Sequence, residues 1–193
     1  MADLDSIVAP SQLQLIKQKT RALGFTMACE DSVGALLRTL AASKRGGRLL
    51  ELGTGTGVGT AWLVDGMDMA SKLTTVDISA EYQQVAREAF VGDGRLEILT
   101  LDAAEFLGKQ PPGSFDLVFA DAMPGKFVQL DKALALVRRG GFYVVDDLLP
   151  QENWPSEHAP KVDQLIAKLA ALTELRSVGL TRASGVMILT RII

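Results

Sequence analysis

Leu49-Leu50-Glu51-Leu52-Gly53-Thr54-Gly55-Thr56-Gly57-Val58 decides how this chain folds. An apolar strand runs into three glycines at alternate positions. A helical pattern follows, with Val58, Ala61 and Trp62 on one face and then Leu63-Val64. A glycine turn between strand and helix lets a ligand approach the backbone closely, and the helix N-terminus offers free N–H groups. Twenty residues beyond Gly57 a second strand, Leu73-Thr74-Thr75-Val76, ends in Asp77, placed to accept hydrogen bonds from ribose hydroxyls. The pattern is that of a nucleoside-binding βαβ unit.

The dinucleotide fingerprint G-x-G-x-x-G fails in every register: its third glycine falls on Val58, Thr60 or Trp62. A nicotinamide oxidoreductase is therefore disfavoured. Charge points the same way. The strands expected to end near Glu51, Asp77, Leu101-Asp102, Asp121 and Asp146 each bring a carboxylate to the edge where open α/β sheets bind ligands. Such a rim repels a pyrophosphate and suits a ligand carrying positive charge and ribose hydroxyls.

Outward from this unit, strand and helix patterns alternate from about residue 48 to 147, as in a parallel sheet with helices on both faces. Leu49–Leu52, Leu73–Val76, Leu96–Leu101, Phe115–Ala120 and Phe142–Val145 read as strands. Ser79 is placed to cap a helix whose stripe is Tyr82, Val85, Ala86, Ala89 and Phe90. Phe127, Leu130, Leu134 and Val137 form a second stripe stopped by Gly140-Gly141, with Arg138-Arg139 opposing the helix C-terminus. Val162, Leu165, Ile166 and Leu169 form a third. Leu175–Leu180 and Val186–Ile192, joined by Thr181–Gly185, read as a hairpin. Two helices precede the core, the first with Pro10 near its start and Gly24 at its end, the second lined by Val33, Leu36, Leu37 and Leu40.

At 193 residues the chain has the size of one domain, with residues 1–45 as an N-terminal helical cap and 46–193 as the core. A net charge of -3 argues against a nucleic acid or an anionic membrane as partner. No run approaches the ~18 apolar residues of a membrane span. Met1-Ala-Asp-Leu-Asp has no signal-peptide character, and Cys29, the one cysteine, forms no internal disulfide, so a cytoplasmic protein is expected. No Cys/His cluster suggests zinc.

Glu51-x-Gly53-x-Gly55-x-Gly57 with Asp77 resembles the first motif of class I S-adenosylmethionine-dependent methyltransferases. Met27–Leu37, Phe119-Ala120-Asp121-Ala122 and Tyr143-Val144-Val145-Asp146-Asp147 narrow the resemblance to the caffeoyl-CoA and catechol O-methyltransferase group. The resemblance implies a Rossmann-like α/β fold with a seven-stranded, mostly parallel sheet of order 3-2-1-4-5-7-6 and an antiparallel last strand. It also implies S-adenosyl-L-methionine as cofactor, a small hydroxylated acceptor, a capped helix after Met27 that covers the cofactor, and a homodimer.

Carried over residue by residue, Glu51, Gly53, Thr54, Gly55 and Gly57 would face the methionine portion of the cofactor. Asp77 and Ile78 would border its ribose, Asp102 and Ala103 its adenine, and Met27 and Asp121 would complete the site. The counterparts of Asp121, Asp146 and Asp147 in the group bind one divalent cation, which would be Mg²⁺, Mn²⁺ or Ca²⁺. The chain departs from the group at three places: Pro124 stands where the catalytic lysine is expected, with Lys126 two residues further; Asp147 stands for an asparagine; Gly59 stands for a serine. Candidate catalytic residues are therefore Asp121, Lys126 and His158. A metal-independent N- or O-methyltransferase using Lys126 or His158 is the rival within catalysis, and a non-catalytic cofactor-binding module the rival outside it. His158 reads more simply as a solvated residue of the loop after the fifth strand, and Trp154 equally as a cover for the sheet end or a wall for a flat acceptor. Cys29 reads as a small buried apolar residue.

Overall fold

The computed structural model describes residues 7–151, 154–155 and 157–193, so Glu152, Asn153 and Ser156 of the expected acceptor loop and the acidic Met1–Asp5 stretch lie outside the described residues. Five parallel strands, β1 (Arg48–Leu52), β2 (Lys72–Asp77), β3 (Leu96–Thr100), β4 (Phe115–Ala120) and β5 (Val137–Val145), join an antiparallel pair, β6 (Leu175–Leu180) and β7 (Val186–Arg191). The sheet order is β3-β2-β1-β4-β5-β7-β6, with β7 antiparallel to β5, as the resemblance implied. The central strands β1 and β4 are buried on both faces, which is why Leu49-Leu50 and Leu117-Val118-Phe119-Ala120 read as unbroken apolar runs.

Helices cover both faces. On one, α1 (Leu13–Ala22), α2 (Asp31–Ala42), α3 (Val58–Gly66) and α4 (Ala80–Ala89) close a cluster built on Ile16, Leu37, Trp62, Val85, Leu117 and Phe119. On the other, α5 (Ala103–Lys109), a distorted turn α6 (Met123–Lys126), α7 (Leu130–Leu136) and α8 (His158–Ala170) surround Phe106, Phe115, Leu134, Val162 and Leu165. Ser79 caps α4 by accepting the Tyr82 N–H, as its position suggested. Among the described residues no helix is long and apolar enough to cross a membrane.

Four expectations need correction. Pro10 lies ahead of α1, in a turn that closes where its carbonyl accepts the Leu13 N–H at 3.1 Å. The Phe127–Val137 stripe is not one helix: Gln129 adopts left-handed backbone at φ 55°, α7 starts after it, and Val137 already pairs with Phe115 as the first residue of β5. Arg138 is thereby a strand residue, paired with Asp116 at 3.0 Å, and neither it nor Arg139 lies in a helix's last turn. α2 has no side-chain cap, because Glu30 lines the cleft described below and Asp31 pairs with Lys17 at 2.5 Å.

The single apolar face read for α3 is also too narrow. Every residue from Val58 to Val64 is buried, because α2 lies across the side that an ordinary surface helix leaves to solvent. The contact depends on Gly34 of α2, where an added Cβ would fall 2.1 Å from Cδ1 of Trp62. Gly34→Ala should therefore destabilise despite alanine's better helix propensity, by about 1–3 kcal/mol of overpacking. Gly179→Ala, at an open position in β6, should leave the urea midpoint nearly unchanged. Equal midpoints for the two variants would show that α2 does not pack tightly on Trp62.

Candidate active site

A cleft of about 670 Å³ opens at the C-terminal ends of β1, β2, β4 and β5, walled on the other side by Phe25–Glu30. One end is built by the glycine turn. Gly53 has φ 101°, and a Cβ there would lie 2.4 Å from the Asp121 carbonyl oxygen, so only glycine lets the ends of β1 and β4 approach. The Gly55 N–H donates to Oδ2 of Asp77 at 2.8 Å, and the Ser79 N–H donates to Oδ1 at 2.9 Å. Asp77 is thus held rigidly at the cleft edge, with lone pairs left for a ligand's hydroxyls. Ile78 and Met27 stand on the rim, 74% and 71% exposed. Phe25 and Tyr82 pack ring to ring at 4.6 Å and line the same end.

Glu51 forms the floor. It is 1% exposed and accepts hydrogen bonds from the hydroxyls of Thr60 at 2.5 Å and Thr75 at 2.6 Å. Thr54 extends the network to Thr75 at 2.7 Å and accepts from Gln83 Nε2 at 2.9 Å. Burial pushes the Glu51 carboxyl up to about 8; the two hydroxyls oppose that rise, while Asp121 and Asp77 add to it. A Cβ on Gly59 would fall 2.5 Å from Oε1 of Glu51, so a serine cannot stand at Gly59 without displacing the glutamate.

At the other end Asp121, Lys126, Asp146 and Asp147 meet. Lys126 is 5% exposed, and its Nζ lies 3.3 Å from both Asp121 Oδ1 and Asp147 Oδ2. Asp146 accepts from the Ser184 hydroxyl and from the Asp147 N–H, the latter at 2.8 Å. Burial, with Asp146 and Asp147 adding to it, raises the Asp121 carboxyl to about 7 against the opposing pull of Lys126. Burial acts to lower the Lys126 pKa, but the three aspartates outweigh it and hold the amine above its ordinary range. Beside them His158, the first residue of α8 and not a loop residue, packs between Trp154 at 4.6 Å and Phe127 at 5.3 Å, and all three line the cleft. The Cys29 thiol also lines it; burial and the carboxylates push its pKa up, so it stays a neutral thiol.

The cleft therefore brings together Met27, Glu51, Gly53, Thr54, Gly55, Asp77, Ile78, Asp121, Lys126, Asp146, Asp147 and His158. Three predicted residues are not among those lining it. Gly57 faces away: at φ 95°, a Cβ there would lie 2.7 Å from that of Ala86, so this glycine lets α4 pack on the turn. Asp102 is exposed and caps α5 by accepting the Ala104 N–H at 2.7 Å, with Ala103 buried beside it. Thr60, Thr75, Phe25, Tyr82 and Ser184 were missed. None carried a readable signal: even Thr75, a polar residue inside a strand, stands beside Glu51 only through the β1–β2 register.

The expected divalent cation does not fit these side chains. Among the described residues no group of three or more Asp, Glu, His or Cys is arranged to hold a metal. The ammonium of Lys126 lies between two of the three proposed ligands, and the third is bound to Ser184.

Because Glu51 and Asp121 hold their protons more tightly when folded, both stabilise most below their unfolded pKa values, near 4. That contribution is lost as pH rises toward their folded values of about 8 and about 7. Unfolding free energy should fall between pH 5 and 8, with a steepest slope of about 1.4 kcal/mol per pH unit for each proton. Glu51→Gln, which keeps an acceptor for both threonines, should flatten this fall. Denaturant titrations of both proteins across that range would show it, and parallel curves would contradict a neutral buried Glu51.

Residues 50–148 match the model of a methyltransferase domain family. A protein of Mycolicibacterium smegmatis assigned as an O-methyltransferase is 40% identical over 123 residues, covering 61% of this chain and 59% of the relative. The chain thus spans less than two thirds of the length of that curated relative. The fold matches a Corynebacterium glutamicum protein at TM-score 0.84 and 20% identity, covering 97% of this chain and 93% of that one. It matches an O-methyltransferase from Bacillus cereus, solved in complex with SAH, at TM-score 0.79 and 21% identity, with 97% and 93% covered. The glycine turn, the aspartate at the end of β2 and strands β2 to β5 all sit inside that matched segment of half the chain: the protein belongs to the methyltransferase domain family.

Proposed function

We propose that this protein is an S-adenosylmethionine-dependent O-methyltransferase that modifies a hydroxyl of a small molecule. The observation that carries the reading is one continuous cleft joining the glycine turn and Asp77 to Lys126 and His158. Six carboxyl groups line it, from Glu30, Glu51, Asp77, Asp121, Asp146 and Asp147, against one lysine; burial favours a proton on Glu51 and Asp121, and the negative charge left at the rim selects a cationic nucleoside over a phosphorylated one. Asp77 would hold the ribose hydroxyls, and the Gly53–Gly55 backbone with Glu51 below it would hold the amino-acid portion. The bound cofactor supplies an electrophilic methyl group on a sulfonium and leaves as a neutral thioether.

This chain's residues do the remaining work. With the cofactor bound, the acceptor oxygen would form the new O–C bond as the S–C bond broke with its electron pair on sulfur, and His158 would take the hydroxyl proton. Lys126 cannot take that proton, because the aspartates around it keep the amine protonated; it is instead a donor toward the acceptor oxygen. Trp154 and Phe127, on either side of the imidazole, suit a flat acceptor. Alignment is the main demand, since a well-oriented pair can supply ~7–11 kcal/mol of the barrier.

S-adenosylhomocysteine should bind in calorimetry, and Asp77→Ala should weaken it by about 1–3 kcal/mol. Tighter binding of NAD would end this reading. On a panel of phenolic acceptors His158→Gln should lower kcat about 10²–10⁴-fold while leaving S-adenosylhomocysteine affinity unchanged. An unchanged kcat would remove His158 from the chemistry.

A further inference from the structure

We propose that Lys126 is the built-in cation of the Asp121–Asp146–Asp147 cluster, so that the site neither holds nor needs a divalent metal ion. The inference deepens the methyl-transfer reading, yet its geometry stands without it. Two carboxylates on adjacent parallel strand ends, Asp121 after β4 and Asp147 after β5, share one ammonium at 3.3 Å each. At such distances one positive charge already neutralises the buried Asp121 and the half-exposed Asp147, so an entering cation must first displace it.

The lysine is placed by a built turn. Pro124 takes extended backbone (ψ 134°) and Gly125 follows at φ 95°, which lengthens the path from β4 and returns Lys126 over Asp121. The Tyr143 hydroxyl donates to the Gly125 carbonyl at 2.5 Å, and the Gly125 N–H donates to Val128 O at 2.8 Å. A Cβ on Gly125 would lie 2.6 Å from Cδ1 of Leu52, so the turn is locked against β1. One oxygen of the third carboxylate, Asp146 Oδ1, is also engaged. Asp146, 2% exposed, accepts from the Ser184 hydroxyl and the Asp147 N–H. Mg²⁺ and Mn²⁺ need several oxygens in near-octahedral array, and this cluster offers them only if Lys126 leaves.

A consequence for the acceptor follows. A divalent ion chelates two neighbouring oxygens, whereas an ammonium donates single hydrogen bonds. One hydroxyl on the acceptor is then sufficient, and a vicinal pair brings no advantage.

The test is Mn²⁺ binding, followed by electron paramagnetic resonance and by calorimetry with the full chain. Wild type should bind no Mn²⁺ at millimolar concentration. Lys126→Met should gain a site at least about tenfold tighter than any in wild type, because the displaced charge is gone. Asp121→Asn added to Lys126→Met should abolish it. Circular dichroism and S-adenosylhomocysteine affinity report folding independently of the metal, and Lys126→Gln serves if the methionine variant does not fold. The proposal is overturned if wild type binds Mn²⁺ as well as the lysine variants do, or if the folded variants bind none. Failure of cofactor binding alone would overturn the methyl-transfer reading and leave this one standing.

Discussion

Like-charge repulsion at the ends of neighbouring parallel strands is the constraint around which this site is arranged. Parallel strands bring Glu51, Asp77, Asp121 and the Asp146-Asp147 pair to one edge, where burial makes a negative charge costly on Glu51, Asp121 and Asp146. Each carboxylate is satisfied differently. Glu51 takes two threonine hydroxyls and tends to keep a proton. Asp77 takes two backbone N–H groups, from the turns that follow β1 and β2. Asp121 and Asp147 share one lysine, and Asp146 takes a serine hydroxyl.

The two ends of the cleft consequently have different chemical characters. At the glycine-turn end Asp77 lines the cleft, and among the described lining residues no lysine or arginine stands beside it, so a ligand carrying positive charge meets a carboxylate that no side-chain cation has already neutralised. The other end has already relieved its cost internally, and what it presents to an acceptor is an ammonium beside an imidazole. A cationic methyl donor and a neutral hydroxyl acceptor suit that division. A pyrophosphate suits neither end, which is the structural counterpart of the failed G-x-G-x-x-G register.

The strands and the glycine turn with Asp77 were legible because their signals are local. Glycines at alternate positions need positive φ, and Gly53, Gly55 and Gly57 have it. Asp77 ends a strand and Ser79 caps a helix within a few residues of one another. The misreadings came where a short apolar stripe fitted two structures. Val137 continues the period of Leu130 and Leu134, yet it pairs with Phe115, and no helical count distinguishes the last residue of a helix from the first of a buried strand. The threonines around Glu51 and the serine on Asp146 were invisible for another reason. They come from α3, β2 and the β6–β7 turn, and only the folded sheet sets them beside their carboxylates.

Lys126 shows how far one local feature can carry. Counting residues from Asp121 puts proline where a lysine is expected, and the obvious conclusion is that the lysine is missing. The conclusion fails because residue number measures contour length, not position. An extended Pro124 followed by left-handed Gly125 spends the two extra residues on a detour, and Leu52 and Tyr143 hold the detour in place. The glycine is the readable sign: only a residue without a Cβ can lie against Leu52 at that φ. A lysine delivered by such a turn arrives low, between the carboxylates, where a cation would otherwise bind. The two-residue displacement and the poor fit to a metal thus have a single cause in the backbone of residues 124 and 125.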